Sequence, residues 1–254
     1  MSQDFTNPIP QASQTSLRIG LLGYGKMGKA IHHLAAQKGF DVAWRSPEQA
    51  HPFSAFEFPA DFPDIDVAIE FSAPSAATGH ISACLHRGIP IVVGTTGWYE
   101  DYDRMAALCH STGGAMLCAT NFSAGVHIFW ELAERMTQWM KGWPDYKIGI
   151  EEIHHPEKKD APSGTALTLM QRVMAQSKAD EGLGAALGSI PIVSHRIEGV
   201  VGTHKLVFRS NRDAISLQHE AYDRNAFAEG ALTAAHWLVG KKGVFEFGDV
   251  LKGI

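Results

Sequence analysis

The sequence predicts an α/β protein: a Rossmann-like doubly wound parallel sheet plus a second α+β domain with a mixed sheet. Three observations carry this. The apolar run Leu17 to Leu22 leads directly into Gly23-Tyr24-Gly25-Lys26-Met27-Gly28. Short apolar runs then alternate with helix-length segments as far as Cys118, the rhythm of a parallel sheet covered on both faces. Beyond Ser123 that rhythm gives way to strands with hairpin-length connections, as in a mixed or mostly antiparallel sheet. The expected boundaries are residues 17–122 with 237–254 for the first domain and residues 123–236 for the second, whose exposed sheet is a plausible oligomer surface; residues 1–16 form a disordered lead-in.

Taken in order, Leu17 to Leu22 is the first strand and Lys29 to Lys38 the first helix. Strand, G-x-G-x-x-G and helix in succession point to a pyrophosphate seated on the helix N-terminus, with Gly23, Gly25 and Gly28 allowing a tight turn and close backbone approach. The second strand, Asp41 to Trp44, ends in Arg45-Ser46. An NAD-selective unit usually carries an acid about 20 residues past the glycines. An arginine and a hydroxyl there suit a 2′-phosphate instead, so NADPH is the expected cofactor, with NADH as the alternative. Pro47 to Asp64 has no clear period and reads as an irregular connection.

Asp66 to Phe71, Ile89 to Val93 and Ala115 to Cys118 are further strands, with helices at Ser75 to Arg87 and Tyr99 to Ser111. Ligands of such sheets bind at the carboxyl ends of the strands. That rule selects Phe71-Ser72, Gly94-Thr95-Thr96-Gly97 and Asn121-Phe122-Ser123 as cofactor-side loops. Next come an amphipathic helix from Val126 to Lys141, a helix from Thr165 to Lys178 and a Gly/Ala-rich link from Gly182 to Ser189. Strands are expected at Ile190 to Ile197, Lys205 to Ser210 and Ala214 to His219, and a last helix at Ala226 to Val239. Val244 to Leu251 is apolar enough to return to the first domain.

The chemistry concentrates in Glu151 to Ala166, EEIHHPEKKDAPSGTA. Ile148, Ile150 and Ile153 suggest a strand that delivers His154 and His155 to its end, where only one of the two can face a given pocket fully. Pro156 stops the strand, Glu157 to Ala161 form a charged loop, and Ser163 is a plausible N-cap for the next helix. Lys158, Lys159, a histidine and a helix N-terminus together suit a small, strongly anionic molecule. A solvated charged loop is the alternative, and the apolar strand before it and the Ser-Gly-Thr helix start after it weigh against that.

Composition narrows the partners. The chain has 254 residues and a net charge of -5, with a pI near 6.2, which argues against nucleic acid. No apolar run reaches the roughly 18 residues of a membrane span, and residues 1–16 lack the basic and apolar blocks of a signal peptide. Cys84, Cys109 and Cys118 have no paired spacing, as expected of free thiols in a cytoplasmic protein. Thirteen histidines show no zinc-motif spacing, so no metal is expected. No G-x-S-x-G elbow is present for a serine hydrolase.

His154-His155-x-x-Lys158-x-Asp160-Ala161-Pro162-Ser163-Gly164-Thr165-Ala166 resembles the signature of the 4-hydroxy-tetrahydrodipicolinate (dihydrodipicolinate) reductases. Lys26-Met27-Gly28, Phe71-Ser72, Gly94 to Gly97, Asn121 to Ser123 and Gly199 to His204 add supporting matches. The resemblance implies a cytoplasmic homotetramer that reduces a cyclic, imine-forming dicarboxylate with loss of water, in the diaminopimelate route to lysine. It implies His155, Lys158, Ser163, Gly164 and Thr165 as carboxylate-binding residues. Lys158 is the expected general acid and His154 the second candidate or its orienter. Two departures stand out: no acid follows the second strand, and His127 occupies a position where Asn is common. From the Rossmann half alone, a noncatalytic redox sensor remains an alternative, as does a reductase of another small dicarboxylate.

Overall fold

The computed structural model describes residues 16–46, 58–60, 62–177 and 190–253. Nearly all of the lead-in, most of the irregular connection after Ser46, the expected helix end at Lys178 and the link at 182–189 lie outside the described residues. The chain divides into two compact units. One runs as far as Cys118 and takes in Ala234–Phe245, and the other comprises Ala119–Thr233 and the residues from Glu246 onward.

The first unit holds a six-stranded sheet. Its strands are β1 (Leu17–Leu22), β2 (Phe40–Arg45), β3 (Val67–Glu70), β4 (Ile91–Val93), β5 (Ala115–Cys118) and β10 (Gly243–Glu246). The order is β10-β5-β4-β3-β1-β2, and β1 pairs in parallel with both β2 and β3. Strand order therefore reverses at β1, and the crevice between the carboxyl ends of β1 and β3 is where such sheets take their ligands. Helices α1 (Lys26–Ala35), α2 (Pro74–His86) and α3 (Tyr102–Thr112) connect the strands. The central strands β3 and β4 are apolar apart from Glu70 because both faces are covered: Val67, Ala68, Ile69, Ile91, Val92 and Val93 are all buried. Helix α1 starts at Lys26 rather than Lys29 and gives way to a 3₁₀ turn at Ala36–Lys38, because the glycine turn is complete by Gly25.

The second unit holds the mixed sheet β7-β6-β8-β9, built from β6 (Lys147–His154), β7 (Ile192–Arg196), β8 (Gly202–Arg209) and β9 (Ala214–Ala221). Strands β6 and β7 are parallel, whereas β8 runs antiparallel to both β6 and β9. Helices α4 (Ala124–Met140) and α5 (Gly164–Ser177) cover one face of it. Phe129, Trp130 and Ala133 of α4 and Ala166, Leu169 and Val173 of α5 share a core with Ile150, Leu206 and Phe208. Helix α6 (Asn225–Leu238) follows. Strand β8 begins three residues before the expected Lys205, since Gly202, Thr203 and His204 pair with Ala221, Glu220 and His219.

The C-terminal segment corrects the sequence-based division. Only β10 returns to the first sheet. Helix α7 (Phe247–Lys252) belongs with the second unit, where Phe247 lies edge-on to Phe122 at 5.6 Å and against His127 at 4.8 Å. An apolar run cannot say which of two cores it enters.

Leu169 is fully buried between α5 and the second sheet. Leu169→Ala should cost about 2–5 kcal/mol of stability, measured as a lower denaturant midpoint at unchanged slope.

Candidate active site

Two clefts carry the expected residues, one in each unit. In the first, Gly25, Lys26, Met27, Phe71, Ser72, Gly94, Thr95 and Thr96 line a cleft of about 460 Å³ at the carboxyl ends of β1, β3 and β4. The three glycines do different work. A Cβ on Gly23, whose φ is +102°, would lie 2.1 Å from the carbonyl oxygen of Phe71, and one on Gly28 would lie 2.3 Å from the carbonyl oxygen of Gly23. These two hold the turn closed. A Cβ on Gly25 would meet nothing within 4 Å and would stand in the open cleft. Gly25 caps α1 without a side-chain hydrogen bond, and the first turn has no acid. The free N–H groups and the positive helix end suit a pyrophosphate.

A buried acid shapes the neighbouring shelf. Glu70, at the end of β3, has no exposed surface. Its Oε1 accepts from the Ser72 amide at 3.1 Å and from the Ser72 hydroxyl, and lies 3.2 Å from His80 Nδ1. The Ser72 amide also donates to the Thr95 hydroxyl at 2.7 Å. Glu70 and His80 are absent from the sequence-based set. Arg45 and Ser46 stand beside the glycine loop rather than in the cleft wall. The Arg45 guanidinium lies 4.2 Å from the centre of the Tyr24 ring. Ser46 is buried and its hydroxyl oxygen accepts from the Gly23 amide at 3.1 Å. Ser46 thus braces the turn, and its proton is left for another acceptor.

In the second unit, a pocket of about 910 Å³ is lined by His154, His155, Lys158, Lys159 and Thr165. Asn121, His204 and Arg224 line it as well. From Ile150 onward every second residue of β6 is buried, so Ile150, Glu152 and His154 share the covered face while His155 is half-buried at the strand end. Glu152 carries the start of α5: the Ser163 amide donates to both its oxygens at 3.1 Å, and the Ser194 hydroxyl donates to Oε1 at 2.7 Å. Ser163 caps α5 as expected, its oxygen accepting from the Ala166 amide at 3.2 Å. It is buried and 3.1 Å from His204 Nε2. Gly164 is exposed, with open space where a Cβ would stand.

The Lys158 ammonium donates to both carboxylate oxygens of Asp160 at 2.9 Å, which holds Asp160 below the usual carboxylate range. Arg196 clamps the loop backbone, donating to the carbonyl of Lys158 at 3.2 Å and that of Asp160 at 2.7 Å. Burial lowers His154, assisted by Lys158 and Arg196 and opposed by Glu152. Burial, with His154 next, pushes His204 down to about 4. Glu152 lies low: burial raises it, but its hydrogen bonds from Ser163 and Ser194 outweigh that. The donor atoms of Glu152, His154 and His204 all lie within 4.8 Å of one another. The Glu152 oxygens already accept from Ser163 and Ser194, while neither histidine Nδ1 has a hydrogen-bond partner.

Asn121 and Phe122 belong to this second unit. Asn121 lines the pocket, and its side chain accepts from the Ser123 amide at 2.8 Å. The Phe122 ring is 2% exposed and packed on Phe247, so its side chain is core rather than cofactor wall. Apolar residues in a loop motif do not announce which way they turn. His127, the departure without a reason in the sequence, lies 2.9 Å from the carbonyl oxygen of Asn121 through Nε2. Its ring sits edge-on to Trp130 and against Phe247, and burial lowers its pKa, so neutral His127 with its proton on Nε2 donates to and braces the Asn121 turn.

Gly25→Ala should leave stability within about 0.5 kcal/mol of the parent while weakening dinucleotide binding at least tenfold. Gly23→Ala, forced against Phe71 at a positive φ, should cost about 1–3 kcal/mol of stability. Thermal unfolding and a fluorescence titration with NADPH separate the two.

Comparison with known proteins agrees with this geometry. The family profile described as dihydrodipicolinate reductase, N-terminus, matches residues 17–122, and that described as dihydrodipicolinate reductase, C-terminus, matches residues 125–251. A 4-hydroxy-tetrahydrodipicolinate reductase of Christiangramia forsetii is 40% identical over 243 residues, covering 94% of this chain and 99% of the relative. A protein of the same description from Xanthomonas euvesicatoria is 39% identical over 226 residues, 85% of this chain and 89% of the relative. The fold is that of a dipicolinate-bound dihydrodipicolinate reductase from Paenisporosarcina, with a TM-score of 0.71, 23% identity, and coverage of 91% of this chain and 97% of that one. With both halves matched and close relatives aligned along nearly their whole length, this chain belongs to the dihydrodipicolinate reductase family.

Proposed function

We propose that the protein reduces 4-hydroxy-tetrahydrodipicolinate to tetrahydrodipicolinate, with loss of water, in the diaminopimelate route to lysine. The observation that carries this reading is the second-unit pocket: Lys158, His154, His155 and the start of α5 converge on one cavity in a chain of this family. A bound reduced nicotinamide supplies the hydride.

The chain's own residues do the rest. The exposed Gly164, with Thr165 beside it at the uncovered start of α5, presents backbone N–H groups to a substrate carboxylate, with Ser163 and His155 as side-chain partners. Lys158 delivers the proton that follows hydride addition. Its ammonium is held by Asp160, and a substrate carboxylate entering the pocket competes for it. His154 stands beside it as second donor or orienter. In the first unit, Gly23, Gly25, Lys26, Met27 and Gly28 cradle the cofactor, with Phe71, Ser72, Gly94, Thr95 and Thr96 as the adjoining wall.

The same reading takes NADPH as the preferred cofactor. In support, the second strand ends in Arg45 where an acid would select NAD, and the Ser46 hydroxyl keeps its proton for a phosphate oxygen. It also takes the protein as a cytoplasmic homotetramer. In support, the second-sheet face turned away from α4 and α5 exposes Val193, and all three cysteines are buried thiols. Among the described residues no helix is long and apolar enough to cross a membrane.

The test follows reduced-nicotinamide absorbance with substrate formed in situ from pyruvate and aspartate semialdehyde by the preceding synthase. Rapid oxidation is expected, and Lys158→Ala should lower turnover about 10²–10⁴-fold with NADPH binding unchanged. No oxidation by folded protein that binds NADPH would overturn the reading in favour of a nucleotide sensor or another dicarboxylate. Arg45→Ala should cut efficiency with NADPH about 10- to 100-fold, the size of one charge-assisted hydrogen bond, and leave NADH unaffected. Equal losses with both cofactors would remove Arg45 from phosphate recognition.

A further inference from the structure

The register of the second sheet sets four polar side chains in one row. Glu152 lies opposite Ser194 on β7 and His204 on β8, and His204 lies opposite His219 on β9. His154 stands two residues beyond Glu152 on the same face. Glu152 Oε2 is 3.7 Å from His154 Nδ1 and 3.8 Å from His204 Nε2. The Nδ1 atoms of both rings are buried without a hydrogen-bond partner.

A carboxylate in this position needs a reason. It lies under the helix start that meets the substrate's own carboxylate, where its charge repels the ligand, and burying a charge is expensive unless a counter-charge answers it. Holding the Ser163 amide requires only an acceptor, which a neutral amide side chain supplies equally. The charge has a use if a cation forms beside it, and His154 is the side chain in place. His204 stays neutral, because it is pushed down to about 4. With its proton on Nε2 it donates to the Ser163 oxygen, whose own hydroxyl adds to the hydrogen bonds on Glu152.

We propose that Glu152 is a positioning residue through which binding of the dicarboxylate draws one proton from solvent onto His154. The proton sits on Nδ1 against Glu152, and the other ring N–H is left on the pocket side beside Gly202. The site then holds a second charged donor next to Lys158 when hydride arrives. The groups facing His154 set the balance. Lys158 of the loop and Arg196, its partner across β7, disfavour the charge, while Glu152 and Asp160 favour it. His155, Lys159, Arg224 and His219 add to the first side of the pocket wall and Glu157 to the second. In the free pocket burial and the cations prevail and His154 is neutral. Two substrate carboxylates reverse that. His154 therefore titrates higher in the complex than in the free protein, and affinity falls as pH rises between those two points.

The inference rests on the reductase reading of this pocket. Its test uses dipicolinate, a dicarboxylate fully ionised at pH 7 that brings no proton of its own. Calorimetric titrations in phosphate and in Tris, which differ in ionisation enthalpy, count the protons taken up. The expected count is about one for the wild-type protein and about zero for Glu152→Gln and His154→Gln. A merely structural Glu152 would weaken dipicolinate without changing the count, so an unchanged count in Glu152→Gln overturns the proposal. A cooperative thermal unfolding transition reports whether each variant is folded. Should Glu152→Gln fail to fold, side-chain ¹⁵N spectra of wild-type histidines decide: His154 turns imidazolium on adding dipicolinate, and a ring that stays neutral overturns the proposal. Dipicolinate bound without proton uptake defeats the coupling alone. No binding by folded protein defeats the reductase reading of the pocket itself.

Discussion

Glu152 has no exposed surface, yet its two oxygens tie two other elements of the second unit to β6. The Ser163 amide brings the start of α5, the Ser194 hydroxyl brings β7, and the strand beneath it carries His154 two residues further on. An unpaired carboxylate at this depth would cost several kcal/mol, so these donors are required for the unit to fold as it does. Their placement in turn decides where the helix N-terminus opens and which histidine of the adjacent pair faces inward. The pocket is in this sense the surface expression of one buried acid.

The first unit uses the same device at a different strand end. Glu70 is buried at the carboxyl end of β3 and gathers the Ser72 amide, the Ser72 hydroxyl and His80. The shelf formed by Phe71 and Ser72 is thereby fixed against the glycine turn, where the Phe71 carbonyl leaves no room for a side chain on Gly23. Ser46 closes the arrangement from the other side by accepting from the Gly23 amide. The glycine loop is thus held from behind by polar side chains rather than by its own residues.

The fold was largely legible. Apolar runs covered on both faces read as parallel strands, and the loss of alternation after Ser123 marked the change to a mixed sheet. The misreadings have physical causes. The segment after Gly243 is apolar along its length, and only packing divides it between β10 and α7. The loop motif at Asn121 to Ser123 contains one residue that lines a pocket and one, Phe122, whose ring is core. Of the site, Lys158 with its neighbours and the glycine turn could be read in one stretch each. Glu152 could have been found from the same strand: it shares the parity of His154, and a charged residue on a covered face calls for partners.

Local order along the chain therefore determined the element sequence, the glycine turn and the cluster of basic residues before α5, because each depends on residues within a few positions of one another. What tertiary structure decided were the contacts across strands. Arg196 holds the Lys158 loop from 38 residues away, and His204 reaches Ser163 from 41. Register across β7, β6 and β8 sets those distances, and register is a property of paired strands that no single segment contains.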